Sequence, residues 1–215
     1  WEEWRRRLNR QVDALGTDEA KANLFIKAGE LLYQQERRPE LAEPFFLRAL
    51  EIRPESPDGL AALAKLYERS GNFFQAISML ERELNATDSE TRKVDVLNRM
   101  GRIQFEMLGD LTLARTSFEK ANALEANDLE SLDALRAIAS QEGRFEDYHN
   151  LLKVSLDSTA DVIDYIDISL EAAEVLKNDE PEVVLGILEN ALKREENNIE
   201  LRFKQAVVRE AIEPN

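Results

Sequence analysis

An internal repeat constrains the fold of this 215-residue chain more than any other feature of its sequence. The stretch from Gly29 to Leu50 recurs at a fixed spacing, from Gly101 to Asn122, with small, aromatic and large apolar residues at matching places. The pairs are Gly29 with Gly101, Ala42 with Ala114, Phe46 with Phe118 and Ala49 with Ala121. The spacing shared by these pairs is the period of the sequence. Self-similarity at a fixed period of this size predicts a repeat array, in which neighbouring units bury their apolar faces against each other.

Each period contains two helical hairpins built on one plan. The first helix carries a small residue, a turn follows, and the second helix carries an alanine and then a large apolar residue. The small positions are filled by Ala28-Gly29, Leu63-Ala64 and Met100-Gly101 in the first helices, and by Ala42, Ala76 and Ala114 in the second helices. Ala49-Leu50 and Pro54 close the first hairpin. A hairpin therefore takes about 34 to 38 residues, the size of a tetratricopeptide unit.

These residues resemble the tetratricopeptide repeat family, and the alternation of a Leu108-Gly109-Asp110 turn with a Gly71-Asn72-Phe73 turn resembles tandem arrays of bacterial proteins. The resemblance implies an all-α fold, a right-handed α-solenoid of antiparallel helix hairpins. We expect a single array over residues 1–215. Its hairpins are predicted at 18–53, 56–86, 88–126, 128–157 and 159–195, with a second helix alone at 1–15 and a first helix alone at 198–213.

Local signals set the expected helix ends. Thr17 or Asp18 is expected to cap the first helix of the hairpin at 18–53. Ser56-Pro57, a cap followed by a first-turn proline, is expected to open the hairpin at 56–86, and Asp128 the hairpin at 128–157. Thr87 to Glu90 has the pattern of a capping box for a helix ending near Leu108. We also expect Asn72 to cap the helix from Phe73, Ser158-Thr159 to open a helix reaching Lys177, and Pro44 to make the chain irregular between Arg37 and Pro44.

Composition narrows the functional classes. The formal net charge of −15 disfavours nucleic acid and anionic membranes and favours basic partners. The chain has no cysteine, and its one histidine, His149, has no second histidine to share a metal or catalytic site. No phosphate-binding glycine loop is present, and no apolar run reaches transmembrane length. We therefore predict no catalytic residue, cofactor or metal, no enzyme activity and no membrane insertion, and a cytoplasmic location with the periplasm as the alternative.

The family resemblance implies that partners bind in a concave groove lined by the first helix of each hairpin. Transferred to this sequence, the central groove positions are Tyr33, Lys65, Asn98, Arg102 and Phe105, which mix aromatic and cationic anchors. A stripe of five acidic residues, Asp161, Asp164, Asp167, Glu171 and Glu174, lies on one helix face. It is either a solvated face or a docking face for a basic segment; we include Asp167, Glu171 and Glu174 among the predicted partner-binding residues.

We expect the chain to act as a protein–protein interaction scaffold that binds a protein or peptide, in particular a basic one. Two alternatives remain: a structural or self-assembling segment of a larger envelope, motility or secretion apparatus, and the regulatory arm of a multidomain enzyme. Trp1 and Trp4 lie on the apolar stripe of the opening helix, and three full periods nearly equal the chain length. From this we expect a piece of a longer array, able to pair end to end through its first helix.

Overall fold

The structure is a computed structural model that describes residues 2–34, 39–126 and 128–212; within these, the side chains of Glu2, Trp4, Arg5 and Pro39 are not described. In the described residues all regular structure is helical. The helices are α1 Glu2–Asp13, α2 Asp18–Gln34, α3 Pro39–Ile52, α4 Pro57–Arg69, α5 Phe73–Ala86, α6 Glu90–Arg102, a π-helical segment Ile103–Met107, α7 Leu111–Leu124, α8 Leu129–Gln141, α9 Phe145–Ser158, α10 Val162–Val175, α11 Pro181–Arg194 and α12 Ile199–Ile212. None of the described helices is long and apolar enough to cross a membrane.

The chain forms two compact units, unit 1 (Trp1–Glu125) and unit 2 (Ala126–Asn215). In unit 1 the hairpin pairs α2–α3, α4–α5 and α6–α7 make the most extensive helix contacts, and α3 and α5 pack on the first helix of the next hairpin. Its core is built from side chains that are almost completely buried, including Phe46, Leu60, Leu63, Leu80 and Phe118.

The predicted small-residue contacts explain how the hairpins of unit 1 close. A Cβ atom added to Gly29 would lie 2.5 Å from the Phe46 ring, and one added to Gly101 would lie 2.7 Å from the Phe118 ring. The ring therefore occupies the space that any side chain would need, and each glycine lets the second helix approach the first. Because both pairs have the same geometry, the sequence repeat is a repeat of packing.

Unit 2 follows the same plan with two hairpins, α8–α9 and α10–α11, and α12 packs on both α10 and α11. Its core is built from Tyr148, Leu152, Leu176, Leu188 and Leu201. Nearest-neighbour packing of this kind is typical of an α-solenoid, in which each helix pair is stabilised by the pairs beside it.

The sequence period holds for most of the chain and then shortens. Five pairs of helices start at the same spacing as that between Gly29 and Gly101: α2 and α6, α3 and α7, α4 and α8, α5 and α9, and α6 and α10. In the last two pairs, α7 with α11 and α8 with α12, the starts are two positions closer together. The expected third full period is therefore not kept. Glu213 to Asn215 lie outside the described residues, as does Trp1.

Several helix ends differ from the prediction because capping is decided by which hydroxyl or carboxylate meets the open N–H groups. Ser89, and not Thr87, caps α6: its Oγ accepts from the Arg92 N–H at 3.3 Å. Asp161 caps α10, which begins at Val162 and ends at Val175 rather than running from Ser158 to Lys177. Asn72 stands at the N-cap of α5 without a capping hydrogen bond from its side chain. The caps at Thr17, Ser56 and Asp128 are confirmed.

A glycine follows the end of each of two helices. Gly71 and Gly143 end α4 and α8 with φ of 74° and 67°, in the left-handed region where a Cβ is unfavourable.

Two helices differ from the prediction within their length and not at their ends. The predicted irregularity before Pro44 is wrong for the described part, since α3 runs unbroken from Pro39. Pro44 is the sixth residue of that helix, so its missing N–H costs one hydrogen bond close to an end where several N–H groups lack helical partners anyway. Arg37 and Arg38 lie outside the described residues. The helix expected to reach Leu108 changes from α to π at Ile103, and the Leu108 N–H donates to the Ile103 carbonyl at 3.1 Å.

Candidate partner-binding surfaces

Side chains on the first helices of unit 1 brace these helices against one another. The Tyr33 hydroxyl of α2 lies 3.5 Å from the Lys65 carbonyl oxygen of α4, at the limit of hydrogen-bonding distance. The Arg99 guanidinium of α6 donates to Glu68 Oε1 of α4 at 2.7 Å and 3.2 Å, and both side chains are about three-quarters buried. These contacts fix the spacing of α2, α4 and α6, which carry four of the five predicted groove residues of this unit.

The five predicted residues divide by exposure. Tyr33 and Asn98 are buried, Phe105 is half-buried within the π-helical segment, and Lys65 and Arg102 are exposed. The Arg69 guanidinium lies 5.0 Å from the centre of the Tyr33 ring, within cation–π range. Tyr33 and Asn98 therefore belong to the support of this face, whereas Lys65 and Arg102 present cationic groups to solvent and Phe105 presents part of an aromatic ring.

A second brace in unit 1 uses a buried carboxylate. Glu83 of α5 is 3% exposed, and the Arg92 Nε of α6 donates to its Oε1 at 2.8 Å, while Arg92 Nη1 reaches Asp58 Oδ1 of α4 at 2.8 Å. Burial raises the pKa of Glu83 above the usual carboxyl range, and the hydrogen bond and charge of Arg92 oppose that rise. One arginine thus joins two successive hairpins by charge-assisted hydrogen bonds.

In unit 2 the predicted acidic stripe of α10 is only partly open. Asp161 caps the helix by accepting from the N–H groups of Ile163 and Asp164, at 2.8 Å and 3.2 Å. Glu174 forms ion pairs with Lys177, at 2.8 Å, and with Lys204 of α12. Asp164 and Asp167 are exposed, and within the described residues neither forms an ion pair. The stripe is therefore a mixture of capping, bridging and open carboxylates.

Glu171 of the same stripe belongs to a buried polar cluster. The Arg136 side chain, on a residue only 2% exposed, donates through Nη2 to Glu171 Oε2 at 3.0 Å, and the same nitrogen lies 2.8 Å from Asp133 Oδ1. Its Nη1 donates to the Ser155 hydroxyl, and the Tyr148 hydroxyl donates to Glu171 Oε1 at 3.1 Å. Burial, and then the negative charge of Glu171, raise the pKa of Tyr148 well above its usual range.

The sequence carried a signal for this cluster that residue-type reasoning missed. Arg136 and Tyr148 stand one full period after Ala64 and Ala76, the small contacts of the second hairpin. A small residue in each helix of the hairpin has thus been replaced by a large polar one. Such a paired replacement indicates a hairpin closed by hydrogen bonds and a charge pair, because neither side chain could be buried without its partners.

The remaining polar residue singled out from the sequence is His149. Its Nδ1 lies 2.8 Å from Glu180 Oε2, and both side chains are about two-thirds buried. In the parts of the chain that the structure describes, no group of three or more His, Cys, Asp or Glu side chains is arranged to hold a metal ion. Through its contact with Glu180, His149 links α9 to the start of α11.

Consecutive packed hairpins with a repeated small-residue contact define the class of helical-repeat proteins built as α-solenoids. Family models described as tetratricopeptide repeats match residues 22–56 and 60–94, which coincide with the α2–α3 and α4–α5 hairpins. These two hairpins are therefore tetratricopeptide repeats, and repeats of this family serve as scaffolds for protein interaction. Among curated proteins, none matches it by sequence.

Solved structures share the fold at low sequence identity. YrrB, a TPR protein with an unusual peptide-binding site, matches with a TM-score of 0.63 and 16% identity over 93% of this chain and 97% of YrrB. The MamA RS-1 ArsTM double mutant matches with a TM-score of 0.62 and 14% identity over 86% of this chain and 99% of that one. A chain of the APC/C hetero-tetramer Cut9-Hcn1 matches with a TM-score of 0.52 and 17% identity, over 94% of this chain but only 44% of its own length. At these identities the similarity is one of fold.

Proposed function

We propose that this chain is a non-catalytic scaffold that holds a segment of a partner protein against the first helices of unit 1. The observation that carries the proposal is the bracing of α2, α4 and α6. The Tyr33–Lys65 contact and the Arg99–Glu68 and Arg92–Asp58 ion pairs hold these helices in a fixed arrangement. A preformed surface lowers the ordering cost that binding would otherwise incur.

The exposed groups on this face suit a peptide ligand. The Lys65 ammonium and the Arg102 guanidinium can donate hydrogen bonds to backbone carbonyls or carboxylates of a bound segment, and the half-buried Phe105 ring offers an apolar contact beside Arg102. The fold similarity to YrrB, described by its peptide-binding site, supports the same kind of ligand here.

Affinity purification from the source cell, with quantification by mass spectrometry, tests this role. The unaltered chain is compared with the Lys65→Glu/Arg102→Glu double variant, and with Lys120→Glu as the control, because Lys120 is an exposed lysine on α7, a second helix. We expect one or more proteins to be retained by the unaltered chain and the control and to be depleted about tenfold by the double variant, since charge reversal at an interface commonly costs a kcal/mol or more.

The other outcomes separate the alternatives. Circular dichroism must show the same helix content in all three proteins. Equal retention by the double variant would refute binding at this face. Recovery of nothing but further copies of the same chain would favour a self-assembling structural segment. Co-purification of one enzyme in fixed ratio would favour a regulatory arm.

A further inference from the structure

Glu83 stands at a position where the second helices of the other hairpins carry a small residue. Each of α3, α5, α7, α9 and α11 has a buried side chain at its eleventh residue. In four of these five helices the residue is alanine or serine and is completely buried: Ala49, Ala121, Ser155 and Ala191. Glu83 of α5 is nearly as buried, at 3% exposed, but it carries a carboxylate.

The packing of the array does not require a carboxylate at this place, since alanine fills it in three other hairpins. A buried ion pair can often be replaced by apolar residues without loss of stability, because the cost of desolvating two charges offsets their attraction. The serine equivalent, Ser155, accepts a hydrogen bond from Arg136 through a hydroxyl, which keeps its proton in mild acid. Glu83 is therefore the member of this set whose charge changes with pH.

Glu83 is held between two hairpins by one arginine. The Arg92 Nε of α6 donates to Glu83 Oε1 at 2.8 Å, and Arg92 Nη1 donates to Asp58 Oδ1 of α4 at 2.8 Å. The second carboxylate oxygen, Glu83 Oε2, is buried and has no hydrogen-bond partner among the described residues. An anion with one buried oxygen unpaired is stabilised less than an anion whose two oxygens both accept hydrogen bonds.

The charged groups that face Glu83 lie on the two helices packed against α5. In the described part of the chain they are Arg92 and Arg99 of α6 and Asp58 of α4. The π-helical segment also packs on α5, but its charged side chain, Glu106, is exposed. Burial raises the pKa of Glu83 above its ordinary value of 4.5, the two arginines lower it, and Asp58 raises it. The net direction is upward, so Glu83 binds a proton in milder acid than an unperturbed glutamate does.

We propose that the Glu83–Arg92–Asp58 contact is a proton-sensitive joint, which holds the α4–α5 and α6–α7 hairpins together more firmly in mild acid than at neutral pH. When Glu83 is ionised, the fold bears the cost of a buried charge that the hydrogen bond from Arg92 offsets only in part. When Glu83 gains a proton, this cost is removed, and Arg92 keeps its ion pair with Asp58. The joint does not depend on the partner-binding role proposed for unit 1.

The direction of the effect follows from linkage between proton binding and folding. Because the pKa of Glu83 is higher in the folded chain than its ordinary value of 4.5, the folded state binds the proton more tightly. The stabilisation is therefore complete below about pH 4.5 and is lost as the pH rises through the raised pKa of Glu83. Other carboxylates of the chain also titrate in acid, so the effect is measured against a variant in which Glu83 alone cannot titrate.

That variant is Glu83→Gln, which keeps the shape of the side chain and stays neutral. Its matched control is Glu81→Gln, because Glu81 is an exposed glutamate on the same helix. Urea unfolding is followed at several pH values from about 4.5 to about 8. The unfolding constant of the unaltered chain, divided by that of Glu83→Gln, should rise with pH by at most about tenfold per pH unit and then level off. The same ratio against Glu81→Gln should stay within about twofold.

A direct titration identifies the groups that set the pKa of Glu83. The side-chain carboxyl carbon of Glu83 is followed by NMR in the labelled chain, and we expect its midpoint to lie above the usual glutamate range. Arg92→Gln should move the midpoint further up, because it removes a hydrogen bond and a positive charge. Asp58→Asn should move the midpoint down, because it removes a negative charge, and Glu81→Gln should leave it unchanged.

Three results would overturn the proposal. One is a Glu83 midpoint at or below the usual glutamate range. Another is a ratio of unfolding constants for the unaltered chain and Glu83→Gln that does not change with pH. The third is a midpoint that Arg92→Gln leaves unchanged or lowers, since Arg92 would then not be the partner of the ionised carboxylate. If Glu83→Gln does not fold, the titrations of the unaltered chain and of Arg92→Gln still decide the question.

Discussion

The contact between Gly101 and Phe118 offers the sharpest test of how the array is packed. The perturbation is Gly101→Ala, in α6, and the matched control is Gly186→Ala, in α11. A Cβ at Gly186 would have no atom within 4 Å, whereas a Cβ at Gly101 would lie 2.7 Å from two atoms of the Phe118 ring and 2.9 Å from a third. The two substitutions are therefore identical in chemistry and opposite in the space they meet.

The expected magnitudes follow from two opposing effects. Alanine is favoured over glycine inside a helix by about 1 kcal/mol, so Gly186→Ala should stabilise the chain by about 0.5–1 kcal/mol. Gly101→Ala has the same gain, but the Phe118 ring is 2% exposed and can move only by displacing its neighbours. Overpacking of this kind costs about 1–3 kcal/mol, which leaves a net loss of about 1 kcal/mol.

Urea unfolding followed by circular dichroism measures both changes. The double variant Gly101→Ala/Phe118→Leu should lose less than the sum of its two single variants, because the smaller side chain makes room for the new methyl group. Gly29→Ala, against Phe46, should repeat the result in the first hairpin. If Gly101→Ala stabilised the chain as much as Gly186→Ala does, the glycine–ring contact could not be what selects glycine at these places.

Three further outcomes follow from other contacts. Phe118→Ala should destabilise the chain by about 3–5 kcal/mol, and a loss below about 1 kcal/mol in a urea melt would contradict its place in the core. Arg136→Ala should cost about 1–3 kcal/mol in the same assay, because the buried Ser155 hydroxyl and Glu171 lose the donor that both share; a change within error would mean that the cluster is not structural. Burial, and then the hydrogen bond to Glu43, raise the pKa of Tyr67 to about 12 from 10.0, so its hydroxyl should stabilise the fold below about pH 10 and lose this effect as the pH rises through about 12. Relative to Tyr67→Phe, the unaltered chain should therefore become less stable over that range in pH-dependent unfolding, and a constant difference would argue against the raised pKa.

Most of the fold could be predicted from the sequence because its signals are local or strictly repeated. Gly29 and Phe46 recur as Gly101 and Phe118, and this spacing indicated paired helices before any contact was known. Gly71 and Gly143 mark helix ends because a left-handed residue is needed there, and that requirement involves only a few neighbouring residues.

The candidate surfaces were less predictable. Lys65 and Arg102 are exposed as expected, but Tyr33 and Asn98 are buried. In the predicted acidic stripe, Glu171 is paired with Arg136, and Glu174 is paired with both Lys177 and Lys204. Whether these residues bind a partner stays a prediction. The π-helical segment at Ile103–Met107 and the shortening of the period towards the end of the chain also had no signal in the residue pattern.

The sequence by itself therefore determined that the chain forms helical hairpins and which residues close them. Periodicity and capping act through hydrogen bonds and contacts within a few residues or across one short turn. Only the tertiary structure decided which charges are paired and which surfaces remain open. Glu68 and Arg99 are 31 residues apart, and Arg136 and Glu171 are 35 apart. The energy of such an ion pair depends on the distance between its charges and on their burial. Both arise only when successive hairpins pack, so the spacing of the two residues along the sequence does not determine them.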